Sequence, residues 1–205
     1  MRTKLPSSTL DLIRAPDQDL VTVARSGSEA AYRELLDRYQ RPVFSLVYRM
    51  VRDRELAEDI AQETFVKVFN SIDRYDPKYK FSSWIFKIAS NLSIDNLRKR
   101  GPEMVSLEGS RNARTADEME STRITVESRG ENPEEFLEAK ELGTEIEAAI
   151  GSLRPDYRTA VILRHVEGRP YEEIAEIMGV PLGTVKTYIH RARSELRETL
   201  AHLRC

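Results

Sequence analysis

A run of polar and basic side chains near the end of the chain has the spacing and chemistry needed to contact duplex DNA. Winding residues 182–197 as a helix, at about 100° per residue, turns one set of side chains outward. This set is Thr187, His190, Arg191 and Ser194, flanked by Lys186, Arg193 and Arg197. Arg and Lys bind guanine edges or phosphates, and the shorter side chains of Thr and His can contact bases that lie closer to the helix. A merely solvated basic face is the alternative, so the elements that position this helix decide between the two.

Residues 171–190 supply such an element, because their spacing is typical of a helix-turn-helix. Ala175 is small where the two helices must touch, and Gly179 suits a left-handed turn. The inward-facing apolar residues are Ile174, Met178, Val185 and Ile189. The motif places its second helix in a major groove. Several classes of transcription protein carry it, so it predicts DNA binding and leaves the function open.

A second candidate nucleic-acid surface lies in a turn-forming stretch at residues 73–80. Its basic and aromatic residues are Arg74, Tyr75, Lys78, Tyr79 and Lys80. Cations hold the phosphates of a single strand, and flat rings stack on its unpaired bases. The helix that follows ends in further polar groups, among them Asn91, Asp95 and Arg98. Cations near a helix C-terminus are also favoured by the helix dipole alone, and that interpretation stays open for Arg98.

A third candidate surface is the polar face of a helix that carries Leu56, Ile60 and Phe65 at helical spacing. Its polar side chains are Glu55, Asp59, Gln62 and Glu63. Asp59 and Glu63 stand one turn apart, but no His or Cys lies near them, so the sequence predicts no metal site. From the residues alone, the face either is solvated or docks a partner protein.

Helical periodicity in both halves of the chain predicts an all-α protein. Three helices are expected within residues 17–101, with Trp84 in their core and Pro42 as a candidate kink in the first. Four more are expected within residues 137–205. Residues 102–136 are polar and lack a sustained apolar period, which predicts a flexible tether between two small helical domains.

The charge distribution supports the same division. The whole chain has a formal charge of −2 and a pI of about 6.0, which at first disfavours a nucleic-acid partner. By segment, however, residues 1–100 carry +4, residues 101–153 carry −8 and residues 154–205 carry +2. The excess negative charge therefore lies around the tether, between two mildly basic modules.

Cysteine content and hydropathy predict the cellular compartment. The only cysteine is Cys205, the last residue, which leaves no intramolecular disulfide and no cysteine-based metal cluster. No apolar run approaches the roughly 20 residues of a membrane span, and the first residues lack the apolar stretch of a signal peptide. The sequence predicts a cytoplasmic protein with no membrane insertion.

Three blocks together resemble the extracytoplasmic-function sigma factors of bacteria, the compact members of the sigma-70 family. Residues 59–69 resemble the family's core-polymerase-binding helix, and residues 81–91 resemble its promoter-melting helix. Residues 171–190 resemble the helix-turn-helix that reads the −35 promoter element. The resemblance covers nearly the whole chain. It implies that sigma region 2 occupies residues 17–101 and sigma region 4 occupies residues 137–205.

The resemblance also implies roles for the matching positions. Binding of core polymerase would involve Asp59, Gln62, Glu63, Phe65, Val66 and Phe69. Capture of the −10 element would involve Arg74, Tyr75, Lys78, Tyr79, Lys80, Asn91, Asp95 and Arg98. The −35 element would meet Thr184, Lys186, Thr187, Tyr188, His190, Arg191 and Arg193. Tyr188 and His190 differ from the residues common in the family, so the resemblance does not imply the sequence of the −35 element.

The implied partners are bacterial core RNA polymerase, through its β′ clamp helices and its β subunit, promoter DNA and an anti-sigma factor. The implied mechanism is non-enzymatic, with no catalytic residues and no cofactor. One alternative is a stand-alone helix-turn-helix regulator, whose N-terminal helices sense a signal or dimerise. The other is an enzyme acting on nucleic acid, for which the sequence offers neither a nucleophile–base constellation nor metal ligands.

Overall fold

A computed structural model describes the backbone of residues 9–100 and 133–203, and the side chains of residues 11–99 and 141–203. The described residues form helices joined by short turns, and no strand occurs among them. The N-terminal module contains α1 (Thr9–Arg14), α2 (Asp17–Arg25), α3 (Glu29–Val51), α4 (Arg54–Asn70) and α5 (Phe81–Arg100). The C-terminal module contains α6 (Pro133–Ser152), α7 (Pro155–Val161), α8 (Tyr171–Met178) and α9 (Leu182–Thr199). The prediction of an all-α fold is confirmed.

The N-terminal module is a bundle in which α3, α4 and α5 pack on one another. Their apolar stripes meet in a core that includes the fully buried Leu35, Val47 and Ile85. Side-chain caps define two of the helix starts: Ser28 accepts from the amide of Ala31, and Asp53 accepts from the amide of Leu56 at 3.0 Å. α3 continues as one helix through Pro42.

Two helices that the sequence did not predict precede the three predicted ones: α2, and before it the short α1. The guanidinium of Arg38 on α3 holds α1 by donating to the carbonyl oxygens of Leu12, Ile13 and Ala15 at 2.8–3.0 Å. Arg38 also pairs with Asp17 at 2.9 Å. These carbonyls lie at the end of α1, where a helix lacks internal donors, so a cation satisfies both their hydrogen bonds and the helix dipole.

The four helices predicted for the second half of the chain are present, with different bounds at the first. α6 begins at Pro133, so the last four residues of the predicted tether, 133–136, are helical. A proline at the first helical position is favoured, because its missing amide hydrogen would have no partner there. The rest of the predicted tether and Cys205 lie outside the described residues. α7 continues into a π-helical turn at Ile162–Val166.

The two modules share one hydrophobic core. α5 packs against α8, and the buried Ile85 and Phe86 of α5 belong to the same apolar cluster as Ile174 and Ile177 of α8. Polar contacts supplement this packing: the guanidinium of Arg98 lies 3.4 Å from the carboxylate of Asp156. The helix-turn-helix therefore rests on the N-terminal module.

Arg158 of α7 is a buried cation at the junction of the modules. Its guanidinium donates to the backbone carbonyls of Met50, Gly151 and Leu153, near the C-terminal ends of α3 and α6. Burial, together with the nearby charge of Arg52, lowers the pKa of Arg158 to about 10, which leaves the side chain protonated at neutral pH. One side chain thus satisfies carbonyls from both modules.

Arg158→Met is expected to lower the free energy of unfolding by about 3 kcal/mol, because it leaves buried carbonyl oxygens without donors. Urea unfolding followed by circular dichroism measures this loss. The matched control is Arg154→Met on the same module, where the side chain is 57% exposed and a change below about 1 kcal/mol is expected. Equal losses in the two variants would contradict the role assigned to Arg158.

Candidate nucleic-acid and protein interfaces

α8, a tight turn and α9 form the predicted helix-turn-helix. Gly179 ends α8 with a φ of 66°, the left-handed conformation that favours glycine. Inside the motif, Ile174, Val185 and Ile189 are buried, and Met178 is half-buried against the same core. No side chain caps the start of α9, where Pro181 stands. The expected packing is present.

The outer face of α9 presents most of the residues predicted to meet duplex DNA. The exposed ones are Lys186, Thr187, His190, Arg191 and Arg193, and Thr184 is half-buried. Tyr188 instead leans on the core, with its ring 5.4 Å from that of Tyr157. The exposed face combines three cations with two shorter polar side chains, which suits contact with phosphates and base edges.

Two residues outside the predicted set position this face. The hydroxyl of Tyr157, a buried residue of α7, accepts a hydrogen bond from Arg191 at 3.2 Å, which raises the pKa of Arg191. The ring of His165 lies 3.2 Å from Arg193. Partial burial and the charges of Arg193 and Arg164 lower the pKa of His165, so its ring is neutral at pH 7. Neither residue belongs to the helix-turn-helix, so the residue spacing of that motif could not predict their contacts with α9.

The basic and aromatic stretch before α5 divides into a buried support and an exposed surface. Arg74, Lys78, Tyr79 and Lys80 are exposed, and 50% of the Tyr79 residue is accessible to solvent. Tyr75 is only 3% exposed, and its hydroxyl donates to the carbonyl of Tyr79 at 2.6 Å. This burial contradicts the prediction that Tyr75 contacts DNA. Its ring packs against Phe81 and Trp84, so it cannot stack on a base in this conformation.

Arg25 fixes the backbone of the same stretch. Its guanidinium donates to the carbonyls of Ile72, Asp73 and Tyr75 at 2.6–3.2 Å. Trp84, which was expected in the core, is half-buried and packs at its edge beside Tyr75 and Phe81. The exposed cations of residues 74–80 therefore project from a loop whose backbone is held in place.

The remaining residues predicted for this surface lie along α5. Asn91, Asp95 and Arg98 are exposed, and their spacing of four and three residues puts them on one face. Ser90 and Ser93 are buried behind them. The guanidinium of Arg98 also pairs with Asp156 of the C-terminal module.

The polar face of α4 is solvent-exposed. Asp59, Gln62 and Glu63 are all exposed, and Glu63 pairs with Lys67 on the same helix at 2.9 Å. Val66 is 57% exposed, an apolar side chain within this polar face. Phe65 is buried, and Phe69 packs edge-on against Tyr32 at 5.0 Å, so both support the helix from inside. The face thus combines carboxylates with one apolar group.

The described residues contain neither a candidate metal site nor a candidate membrane span. No group of three or more His, Cys, Asp or Glu side chains there is arranged to hold a metal ion. No helix in the described ranges is both long enough and apolar enough to cross a bilayer.

Comparison with known proteins identifies the family. Residues 35–103 match the family model of sigma-70 region 2, and residues 143–196 match that of sigma-70 region 4. The chain is 36% identical over 183 residues to the ECF RNA polymerase sigma factor SigW of Bacillus subtilis (strain 168), a match that covers 87% of this chain and 94% of that protein. It is 36% identical over 180 residues to the ECF RNA polymerase sigma-E factor of Escherichia coli (strain K12), with 88% and 92% covered.

A third relative, the ECF RNA polymerase sigma factor SigE of Mycolicibacterium smegmatis, is 38% identical over 179 residues, which span 86% of this chain and 65% of that protein. The chain belongs to the extracytoplasmic-function group of the sigma-70 family. It is an RNA polymerase sigma factor, a protein that directs promoter recognition and transcription initiation. The predictions of family and function are confirmed.

Solved structures share the fold. CnrH, in complex with the cytosolic domain of CnrY, superposes with a TM-score of 0.62 at 21% identity, covering 91% of this chain and 97% of that one. The sigma factor RpoE of Bartonella quintana, in complex with the anti-sigma factor NepR, gives a TM-score of 0.57 at 24% identity, with 83% and 96% covered.

Proposed function

We propose that this sigma factor uses three separate surfaces. The polar face of α4 binds the β′ clamp helices of core polymerase, the loop before α5 and the exposed face of α5 capture the −10 element, and α9 reads the −35 element. The observation that carries the proposal is the division of α9, because its buried side supports an outer face of three cations. That division gives the helix a rigid base and a surface suited to a major groove.

The α4 surface suits a protein partner better than a nucleic-acid partner. Asp59 and Glu63 give it negative charge, which repels phosphates and complements a basic partner. The exposed Val66 adds an apolar contact that such a partner would cover. These features favour docking of a partner over a merely solvated face.

The α5 surface suits a single strand. Lys78 and Lys80 supply cations, Tyr79 offers an exposed ring, and Asn91 offers an amide to a base edge. Capture of an unpaired base offsets the few kcal/mol that unstacking costs, so binding drives strand opening without catalysis. The protein acts with no cofactor, in the cytoplasm where polymerase works.

The domain limits are also part of the proposal: sigma region 2 occupies residues 17–101, sigma region 4 occupies residues 137–205, and the acidic tether 102–136 lies between them. An anti-sigma factor is the proposed regulator. The sigma factor RpoE of Bartonella quintana, which shares the fold, is in complex with the anti-sigma factor NepR.

Affinity for promoter DNA with and without core polymerase tests the proposal against the stand-alone regulator. The chain alone is expected to bind duplex promoter fragments weakly and without sequence preference, and the complex with core polymerase is expected to bind them specifically. Fluorescence anisotropy at fixed salt measures both, with a scrambled fragment as the control. Tight, specific binding by the chain alone would favour the stand-alone regulator.

A further inference from the structure

Glu173 of α8 is a buried carboxylate at the contact between the modules. Only 6% of the residue is exposed. Its carboxylate accepts from Lys80 Nζ at 3.0 Å and from the hydroxyl of Ser83 at 3.0 Å, both on the N-terminal module. It also pairs with Arg169 of its own module at 2.6 Å. Burial raises the pKa of Glu173, but these hydrogen bonds and charges outweigh burial and lower it below its usual value.

The groups that hold Glu173 on the N-terminal module are those that a phosphate would need. A lysine ammonium and a serine hydroxyl both donate to anionic oxygens, and a carboxylate and a phosphodiester present similar oxygens. Lys80 remains 70% exposed beside the contact, so the site opens to solvent. It lies in the surface proposed to capture the −10 strand.

Docking of α8 covers more of the same surface. The guanidinium of Arg169 lies 4.9 Å from the ring of Phe86 and donates to the hydroxyl of Ser82 at 3.2 Å. When the modules separate, Arg169 and Glu173 leave together and still neutralise each other, whereas Lys80 and Ser83 lose their anion. The N-terminal module is then left with an unfilled anion site.

Reading both promoter elements requires the two modules to contact distant parts of the DNA. The −35 and −10 elements lie about 25 base pairs apart, or roughly 85 Å at 3.4 Å per base pair. Residues 101–132, between α5 and α6, can span about 110 Å when fully extended. The chain between the modules is therefore long enough to span that distance.

We propose that Glu173 occupies a phosphate site formed by Lys80 and Ser83, and so holds the sigma factor closed until the phosphodiester backbone of single-stranded promoter DNA takes its place. This inference rests on the proposed function, because it takes the start of α5 as part of the −10 surface. It makes the free chain self-inhibited. The closed state then lowers the apparent affinity for the strand, because only the open fraction of molecules can bind it.

The closure is tested on the free chain, without polymerase, so that its outcome is independent of the sigma activity. Small-angle X-ray scattering is expected to give a larger radius of gyration for Glu173→Lys than for the unmodified chain, because the new cation faces Lys80 and Arg169. The control is Glu172→Lys, the same charge change at the exposed neighbouring position. A folded Glu173→Lys variant that stays as compact as the control would overturn the proposal.

The phosphate site is tested with a fluorescent single-stranded oligonucleotide of mixed sequence. Glu173→Gln keeps the shape of the side chain and removes its charge, so it is expected to bind the strand about tenfold more tightly than the unmodified chain. Glu172→Gln is expected to change nothing. Adding Lys80→Ala to Glu173→Gln is expected to remove the gain. An absent gain, or one that survives the loss of Lys80, would overturn the assignment.

Discussion

Replacing Asp59 and Glu63 together with arginine is expected to abolish the complex with core RNA polymerase, weakening binding by about 100-fold or more. Both carboxylates are exposed on α4, so the change reverses the charge of the face without disturbing the core beneath it. Glu63 also loses its pair with Lys67, an exposed i, i+4 contact worth only a few tenths of a kcal/mol. Binding to immobilised core polymerase measures the effect.

A matched variant tests whether the loss of binding depends on where the charges are changed or only on the change in net charge. Glu172→Arg with Glu176→Arg makes the same charge change at the same spacing on α8, where both residues are exposed. It is expected to bind core polymerase as the unmodified chain does. Unchanged affinity of the α4 variant, with its circular dichroism spectrum intact, would remove α4 from the polymerase interface.

The second large effect is expected for Arg191→Ala, which should weaken recognition of the −35 element by about tenfold to a hundredfold. Arg191 is exposed on α9, and its hydrogen bond to the hydroxyl of Tyr157 already restricts its conformation. Binding to the groove therefore costs little additional side-chain entropy. Initiation by the holoenzyme on a duplex promoter measures the loss. On a premelted template, whose −10 strand is already free, the loss is expected to be smaller.

Arg197→Ala is the control for that prediction. Arg197 is exposed on the same helix, but it lies nearer the C-terminal end, away from the residues that such motifs insert into the groove. The two variants lose the same charge, so a larger defect in Arg191→Ala would reflect its position. Equal losses on duplex and premelted templates would contradict a role for Arg191 in −35 recognition.

Local features of this fold could be predicted from the sequence because short-range rules determine them. Gly179 takes the left-handed turn that its type favours, and Val185 and Ile189 face inward as helical spacing requires. The exposed face of α9 follows from the same periodicity. α1 escaped prediction because its six residues are too few to show a period, and its stability depends on Arg38, more than 20 residues later.

The contact between the modules could not be predicted, because nothing local distinguishes its residues. Glu173 follows Glu172 in the first turn of α8, a position where carboxylates are common and usually solvated. Its partner Ser83 lies 90 residues earlier in the chain. Tyr75 was misassigned for a related reason, since an aromatic residue in a polar loop gives no sign of whether its ring turns inward.

The central claim, that this chain directs RNA polymerase to promoters through the surfaces described, is tested most directly by reconstitution. The purified chain is added to bacterial core RNA polymerase with fragmented genomic DNA of its host, and the 5′ ends of the transcripts are mapped. We expect initiation at discrete sites that share two sequence elements about 25 base pairs apart, the span at which the modules must separate. Failure to bind core polymerase, together with tight binding of the chain alone to duplex DNA, would contradict the account.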